Sequence, residues 1–351
     1  MELKLAVSDS QLLRSVSNQV FHLILMSTEA CNFRCVYCYE DFRYKRMEPW
    51  VVTGVKGLLS RRAPDLEALT ISWFGGEPLL AADVVEEVMR HVRALIEAHG
   101  TIRLASDMTT NGYLLDPPML RRMIGLGVSD YQITIDGPRE WHDRRRITIG
   151  GRGTFDRIWG NLLAMRTVAE PFRIQVRVHA DRENVGLLPG FLPAYRDAFG
   201  ADDRFALFIR GLSRLGGPND PALAVFEREE GDREIGGLRD LARGLGLKLA
   251  ETTGDDPVCY AARANSFLVR ANGRLNKCTV ALEHPANQVG CIREDGTVEV
   301  TAPTVARWTR GLWSGSPEEL RCPMHGLADD SAEAAPESEP VTGPGRAVRA
   351  G

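Results

Sequence analysis

The stretch FHLILMSTEACNFRCVYCYEDF, from Phe21 to Phe42, decides the expected fold of this chain. It opens with a short apolar run that predicts a buried β-strand. Three cysteines then follow within eight positions, at Cys31, Cys35 and Cys38, and aromatic residues surround them. The stretch therefore predicts a strand whose carboxyl end carries three thiols.

A strand–loop–helix pattern repeats from residue 21 to about residue 210. The strand-like runs are FHLILMS, LTISWF, IRLASDMTT, YQITID, RIQVRV and RFALFI. The helix-like segments between them are WVVTGVKGLLSRR, AADVVEEVMRHVRALIEA, PPMLRRMIGLG, TFDRIWGNLLAMRTV and LPGFLPAYRDAFG. Strands that alternate with helices of this length indicate βαβ units and a parallel sheet. The pattern predicts an α/β fold, a partial (β/α)6 TIM-like barrel, in which chemistry lies at the carboxyl ends of the strands.

The rest of the chain divides into further segments by composition. We expect an N-terminal segment at 1–20, the barrel at 21–210, and a linker with a bridging helix at 211–250, the helix covering 221–246. A small cysteine-containing domain should follow at 251–327, with hairpins at ANGR and EDGT. Residues 328–351 have almost nothing to bury, so we expect a disordered tail there.

Composition excludes several classes of function. The 351 residues carry a net charge of −4, which offers no field for nucleic acid or an anionic membrane. No apolar run reaches the length of a membrane span, and the N-terminus lacks the features of a secretory signal. We therefore expect a cytoplasmic protein, in which seven cysteines indicate metal binding or catalysis rather than disulfides.

The spacing Cys31-x3-Cys35-x2-Cys38 narrows the choice of metal. A structural zinc site takes four ligands, and a ferredoxin-type cluster takes four thiolates. Three closely spaced thiolates suit a [4Fe–4S] cluster with one iron left open for a substrate or cofactor.

This stretch resembles the signature of the radical S-adenosylmethionine (SAM) superfamily, C-x3-C-x2-C with an aromatic residue before the third cysteine, here Tyr37. The resemblance implies that SAM binds the open iron through its amino and carboxylate groups. It also implies that one electron from the cluster cleaves SAM to methionine and a 5′-deoxyadenosyl radical, which abstracts hydrogen from a substrate.

Motifs after the second and third strands extend the resemblance. FGGEPLL places Gly75, Gly76 and Glu77 where the family's "GGE" contacts the SAM amino group, and glycine lets backbone approach a ligand closely. Thr110 and Asn111 lie in TTNG, similar to the family's ribose-contacting "TNG". Each motif could also be an ordinary turn or loop, and it is their order along the strands that is specific.

The fourth and fifth strands carry further matches. Asp136 opens a DGP motif, and His142, Asp143 and Arg146 complete the family's "DGP…HDxxR". The resemblance implies that Arg146 pairs with the SAM carboxylate, although the run of arginines could also be a solvated surface. Asn184 is either a SAM contact or a helix N-cap.

The remaining cysteines lie in the C-terminal segment. Cys259-x13-Gly273-x4-Cys278 resembles the opening of the family's SPASM and twitch extensions, which implies two thiolates on one auxiliary iron–sulfur cluster and a glycine in the turn between them. A full SPASM domain has seven cysteines, so a shortened, twitch-like domain with one auxiliary cluster is expected.

Two cysteines are left to complete that cluster. Cys322 is expected as the third ligand and Cys291 as the fourth, with His325 ranked just behind Cys291 because histidine binds iron in Rieske centres. A site with three protein ligands and an open iron is the remaining alternative.

The resemblance implies an enzyme that modifies a peptide or protein and takes electrons from an external one-electron reductant of the flavodoxin or ferredoxin type. A sulfatase maturase is the runner-up. A non-catalytic iron–sulfur electron carrier or sensor is the alternative from another class, but it leaves the motifs at successive strand ends unexplained. No catalytic acid, base or radical relay can be assigned, because carboxylates and tyrosines are too numerous.

Overall fold

The computed structural model describes residues 7–250 and 257–327. The expected disordered tail at 328–351 lies outside the described residues, as do the first six residues of the N-terminal segment. No helix in the described ranges combines the length and the apolar character needed to cross a membrane.

The described part of the chain contains twelve strands and eleven helices. The strands are β1 (Val20–Thr28), β2 (Phe33–Cys35), β3 (Ala68–Gly75), β4 (Arg103–Thr110), β5 (Asp130–Thr134), β6 (Arg146–Thr148), β7 (Arg173–Ala180), β8 (Phe205–Gly211), β9 (Ser266–Val269), β10 (Arg274–Asn276), β11 (Gln288–Ile292) and β12 (Val298–Val300). The helices are α1 (Asp9–Val16), α2 (Pro49–Arg62), α3 (Ala82–His99), α4 (Pro117–Gly125), α5 (Arg139–Arg145), α6 (Phe155–Met165), α7 (Leu188–Phe199), α8 (Arg228–Gly244), α9 (Ala302–Thr309), α10 (Gly311–Ser314) and α11 (Pro317–Arg321).

The predicted partial barrel is confirmed. Strands β1, β3, β4, β5, β7 and β8 pair in that order, and every pairing among them is parallel. Helices α2, α3, α4, α6 and α7 lie between these strands in sequence, as the pattern predicts. All six predicted strands and all five predicted helices of the barrel are present.

Alternation along the strands gives the barrel a polar interior. On β7, Gln175, Arg177 and His179 border the internal cavity, whereas Val176 and Val178 belong to the hydrophobic core. Successive side chains of a strand point to opposite faces, so one strand contributes to both. The outward-facing side chains of the barrel strands therefore form the hydrophobic core, and polar side chains point inward.

The C-terminal segment continues the barrel sheet. Strand β9 pairs in parallel with β1, and β10, β11 and β12 follow as antiparallel neighbours, which makes one ten-stranded sheet. Both predicted hairpins are present, and Gly273 takes a left-handed φ of +83° in the first turn. The boundaries expected for a separate C-terminal domain stay a prediction.

Two details differ from the sequence analysis. The helix predicted over 221–246 begins only at Arg228, where Glu227 and Glu230 form a capping box. Helices α9, α10 and α11 were not predicted because they are short and lie among turn signals.

Candidate active site

The three clustered cysteines lie on the loop that leaves β1. Cys35 ends the short strand β2, which pairs with β6 so that Cys35 stands opposite Arg146. Gly76 fixes the other side of the loop, because a Cβ there would lie 2.4 Å from the carbonyl oxygen of Ala30. The loop is therefore held between the end of β3 and β6.

A cavity of about 1000 Å³ opens beside this loop. Its border includes all three cysteines together with Gly75, Gly76, Asn111 and Arg146, and it extends into the polar interior of the barrel. The cysteine loop and the barrel interior thus share one space.

The environment of the thiols fits iron–sulfur ligands. The backbone N–H of Phe33 donates to Cys31 Sγ at 3.4 Å, and the Asn111 amide lies 3.8 Å from the same sulfur. Arg146 is buried and its Nε has no hydrogen-bond partner in the described part of the chain, which leaves a donor available near Cys35. Burial raises the pKa of Cys31 and Cys38 to about 12, so a cluster that binds must displace their protons.

Across the described ranges, no three or more His, Cys, Asp and Glu side chains converge where one metal ion could be held. An iron–sulfur cluster makes a different demand, because its iron atoms are held by separate thiolates. The donor set, three thiols with N–H donors and a guanidinium beside them, fits a cluster.

Glu77 is placed differently from the expectation. Its carboxylate is fully buried and accepts hydrogen bonds from the Leu79 N–H (3.0 Å), the Thr110 hydroxyl (2.8 Å) and the Asn111 N–H (2.7 Å). Burial raises its pKa, although these donors oppose the effect. Glu77 therefore joins the end of β3 to the loop after β4, and its expected contact with SAM stays a prediction.

The adjacent glycine has a packing role as well. Gly75 has a φ of +124°, and a Cβ on it would meet the Thr28 carbonyl oxygen at 2.2 Å. The close approach expected of these glycines is thus made by the backbone that leads into the cysteine loop.

Asn111 and Thr110 both border the cavity. The Asn111 side chain donates to Asn32 Oδ1 at 2.8 Å and accepts from the Tyr113 N–H at 3.0 Å. Both residues carry the loop that the sequence analysis associated with SAM, but Thr110 directs its hydroxyl to Glu77.

Asp136 lies behind the cysteine loop. One of its oxygens accepts the Tyr37 hydroxyl, and the other accepts the backbone N–H and Nδ1 of His179, both at 3.1 Å. Burial opposes ionisation, but His179 and Arg146 keep the pKa of Asp136 below its ordinary value. As a direct SAM contact the residue stays a prediction, and its observed contacts position Tyr37.

Arg146 is the arginine of its run that reaches the cavity. Its Nη1 donates to the Tyr37 hydroxyl at 2.8 Å. By contrast, Arg144 is exposed, and Arg145 forms an ion pair with Asp181 at 2.5 Å. The choice that rested on motif spacing agrees with the position of the side chain.

The rest of the "HDxxR" motif and Asn184 brace this region. His142 Nδ1 accepts from the Asp136 N–H at 3.2 Å, and Asp143 accepts from the first N–H groups of α6 at 2.7 and 2.8 Å. Asn184 is fully buried and donates to the His179 carbonyl at 2.8 Å. The N-cap interpretation of Asn184 is wrong, because α7 is capped by Leu187.

The segments that carry three of the C-terminal cysteines lie next to one another. The Cys259 N–H donates to the Leu320 carbonyl at 2.8 Å, which brings Cys259 beside the segment that ends in Cys322. Tyr260 hydrogen-bonds to Thr279 at 2.7 Å, which brings Cys259 beside Cys278. Burial raises the pKa of Cys259 to about 11, and the other two thiols add to the effect.

The role of Cys291, expected as the fourth ligand, stays a prediction. Cys291 lies on β11 opposite Arg274. Its thiol lies 3.9 Å from Glu299 on the neighbouring strand. His325 is exposed, with its backbone N–H bonded to the Cys322 carbonyl.

Sequence analysis missed Arg177, Arg210 and His179, which border the cavity near the cysteine loop. The signal that could have found Arg177 and His179 is the polar period-two pattern of RIQVRVHA on β7. Arg210 lies on β8, outside that pattern.

Similar proteins share the barrel part of the chain. Residues 25–169 match the model of the Radical SAM superfamily. The PqqA peptide cyclase of Gluconobacter oxydans is 27% identical over 176 residues, 50% of this chain and 46% of that protein. The GTP 3′,8-cyclase of Microcystis aeruginosa is 31% identical over 170 residues, 46% of this chain and 48% of that protein. The chain thus spans about half the length of these curated relatives.

Solved structures with the same fold include native anSMEcpe with bound AdoMet, at a TM-score of 0.62 and 16% identity over 82% of this chain and 80% of that one. Streptococcus suis SuiB bound to precursor peptide SuiA gives a TM-score of 0.57 and 12% identity over 78% of this chain and 63% of that one. At this identity the likeness shows the fold. Residues 25–169 are thus similar to the radical SAM superfamily, and the motif order and the cysteine loop agree with that likeness.

Proposed function

We propose that this protein is a radical SAM enzyme that modifies a peptide or protein. Cys31, Cys35 and Cys38 would hold a [4Fe–4S] cluster, and SAM would bind beside it. When bound, the two cofactors supply a 5′-deoxyadenosyl radical that removes a hydrogen atom from the substrate.

One observation carries the proposal. The three cysteines border the same cavity of about 1000 Å³ that enters the barrel. A radical enzyme needs its cofactors and substrate in one enclosed space, whereas an electron carrier has no use for such a volume. The cavity therefore favours the enzyme over the iron–sulfur carrier or sensor.

The residues around the cavity fall into two groups, those proposed to contact SAM and those proposed to position them. Asn111, Arg146 and the backbone of Gly75 and Gly76 reach the cavity and are proposed to contact SAM. Arg146 suits a carboxylate because its guanidinium presents paired donors.

Other residues hold these contacts in place. Glu77 and Thr110 fix the loop that bears Asn111, and Asp136 fixes Tyr37. We propose positioning roles for these three residues.

We also propose one auxiliary iron–sulfur cluster on Cys259, Cys278 and Cys322. The segments that carry these thiols are joined by hydrogen bonds, which supports a shared site. An external reductant of the flavodoxin or ferredoxin type would supply electrons.

The test is anaerobic reconstitution with iron and sulfide, followed by reduction with dithionite and chromatography for 5′-deoxyadenosine. The wild type should form it, and Cys35→Ala should not. Cys291→Ala is the matched control, since that thiol lies on a different strand edge, and it should retain the activity. Absence of SAM cleavage in a fully reconstituted wild type would refute the proposal.

The substrate class needs its own measurement. Reactions with peptides from neighbouring small open reading frames would be followed by mass spectrometry, and a mass change that depends on SAM is expected. Modification of a sulfatase-derived peptide alone would favour the runner-up, a sulfatase maturase.

A further inference from the structure

Two arginines that border the cavity have no acidic partner within residues 7–250 and 257–327. Arg177 on β7 and Arg210 on β8 both border the cavity at the end nearer the cysteine loop. In the parts of the chain that the structure describes, neither forms an ion pair, and Arg177 makes one hydrogen bond, from Nε to the Thr134 hydroxyl at 3.1 Å. A third arginine of the barrel, Arg173, is paired with Asp130 at 2.5 Å.

The register of β7 and β8 places Arg177 and Arg210 at neighbouring positions of the sheet. Arg177 stands opposite Phe208 and Arg210 opposite His179, so the arginines are diagonal neighbours on one face of the sheet. With about 4.8 Å between strands and about 3.3 Å of rise per residue, their Cα atoms lie about 8 Å apart. Side chains as long as arginine can reach a common ligand across that distance.

The positive charges of Arg177 and Arg210 repel each other, so a bound anion between them would be stabilised. Burial lowers the pKa of Arg177, and the charges of Arg146 and Arg210 lower it further, although nearby tyrosines oppose them. Arg210 is exposed to the cavity, so its guanidinium is open to a ligand.

We propose that Arg177 and Arg210 bind a carboxylate of the substrate inside the barrel. The inference rests on the proposed function, because it takes this cavity as the substrate site. Two guanidinium groups match the two oxygens of a carboxylate, and such paired contacts are strong and directional. A phosphate has more oxygens to satisfy than the two that a pair of guanidinium groups matches.

The neighbours of the pair suit the rest of an amino acid residue. Phe208 and Tyr39 also border the cavity and offer apolar surface. Tyr37, next to Cys38, packs edge-on against His179 with ring centres 5.0 Å apart. A residue anchored by its carboxylate would therefore lie close to the cysteine loop, where hydrogen abstraction is proposed.

The test measures binding to the reconstituted protein with SAM and without reductant, by ligand-observed NMR titration. The probes are N-acetylglutamine, which has an α-carboxylate, N-acetylisoglutamine, which has a side-chain carboxylate, and the neutral N-acetylglutamine amide. At least one acid should bind about tenfold or more tightly than the amide, since hydrogen bonds to charged groups are worth that factor. Which acid binds distinguishes a chain terminus from an acidic side chain.

Arg210→Gln should abolish the preference for the acid, and Arg210→Lys should retain part of it. Arg173→Gln is the matched control on β7, and it should keep the preference because Arg173 is already paired with Asp130. Iron content and circular dichroism check that each variant folds; if Arg177→Gln does not, Arg210→Gln alone decides.

Equal binding of the acids and the amide to wild type would overturn the inference, as would an Arg210→Gln protein that keeps the preference. A variant whose affinity for SAM falls instead would assign the pair to SAM. Tighter binding of inorganic phosphate than of either acid would also overturn it. Because no reductant is present, these outcomes are independent of SAM cleavage, on which the proposed function depends.

Discussion

Replacing Arg270 should destabilise the protein for two reasons. The ion pair with Glu29 is lost, and the Glu29 carboxylate is left buried without a cation. Arg270 follows β9 and is 1% exposed. It donates to both oxygens of Glu29, at 2.9 and 2.7 Å, and Glu29 is equally buried, two residues before Cys31. The pair therefore ties the C-terminal strands to the cysteine loop.

The magnitude follows from what remains after the substitution. Arg270→Met leaves Glu29 as a buried carboxylate without its cation, and breaking a buried pair in this way costs about 3–5 kcal/mol. The double variant Arg270→Met/Glu29→Met removes both charges and should recover most of that loss. Arg43 and Glu283 form an exposed pair, at 55% and 44% side-chain exposure, and Glu283 also pairs with Arg270 at 2.5 Å. Because Glu283 keeps this second partner and is exposed, Arg43→Met should cost less than about 1 kcal/mol.

Urea unfolding of the reconstituted proteins would measure these free energies by far-ultraviolet circular dichroism. The iron–sulfur absorbance would be followed in the same samples, and we expect it to be lost at a lower urea concentration in Arg270→Met. A single variant within about 1 kcal/mol of wild type would refute the reasoning. A double variant as unstable as the single one would show that Arg270 acts through packing rather than through its charge.

Three further predictions concern other parts of the molecule. Cys291→Ser should leave the iron content and the Mössbauer spectrum of the auxiliary cluster unchanged, whereas Cys278→Ser should remove that signal; the opposite result would identify Cys291 as a ligand. Gly273→Ala should cost at least about 1 kcal/mol in urea unfolding, because alanine is strained at a φ of +83° and its Cβ would lie 2.5 Å from the Trp50 ring; an unchanged midpoint would contradict the hairpin geometry. Burial raises the pKa of Asp107 to about 6 from 3.8, so the folded protein binds this proton more tightly than the unfolded chain. Stability should therefore fall relative to Asp107→Asn, by at most about 3 kcal/mol, as the pH rises from about 4 to above 6, and a parallel pH dependence of the two proteins would refute the shift.

The barrel could be predicted from sequence because its signals are local. Each strand is a short apolar run between turn residues, and each helix has its own periodicity, so existence and order follow from single segments. The cysteine loop is equally local, with three ligands within eight positions.

The candidate site could be predicted less completely, because it depends on which side chains meet across strands. Glu77 was expected at the ligand, but three donors from two loops enclose it. Asp136 was expected there too, yet Tyr37 stands between it and the cavity. Sequence order identifies the strand end on which a residue lies, whereas the direction of its side chain is settled by partners far away in the chain.

Cys291 also shows that sequence alone does not give the position of a side chain. Counting cysteines favoured it as a ligand, but the hairpin register sets it opposite Arg274 and away from Cys278. The neighbouring Ile292 is buried in the core, so alternation turns Cys291 to the other face of the strand. Position within a hairpin is therefore a guide to a ligand set that the number of thiols does not supply.

The continuity of the sheet has a consequence for function. Because β9 pairs directly with β1, the strand that leads into the cysteine loop has the barrel on one side and the C-terminal strands on the other. The buried contact of Arg270 with Glu29 adds a second connection at the start of the loop. The C-terminal strands and the cysteine loop are thus connected through paired backbone and through this buried ion pair. For this reason the Arg270 variant should affect iron content as well as stability, whereas the exposed Arg43 variant should affect neither.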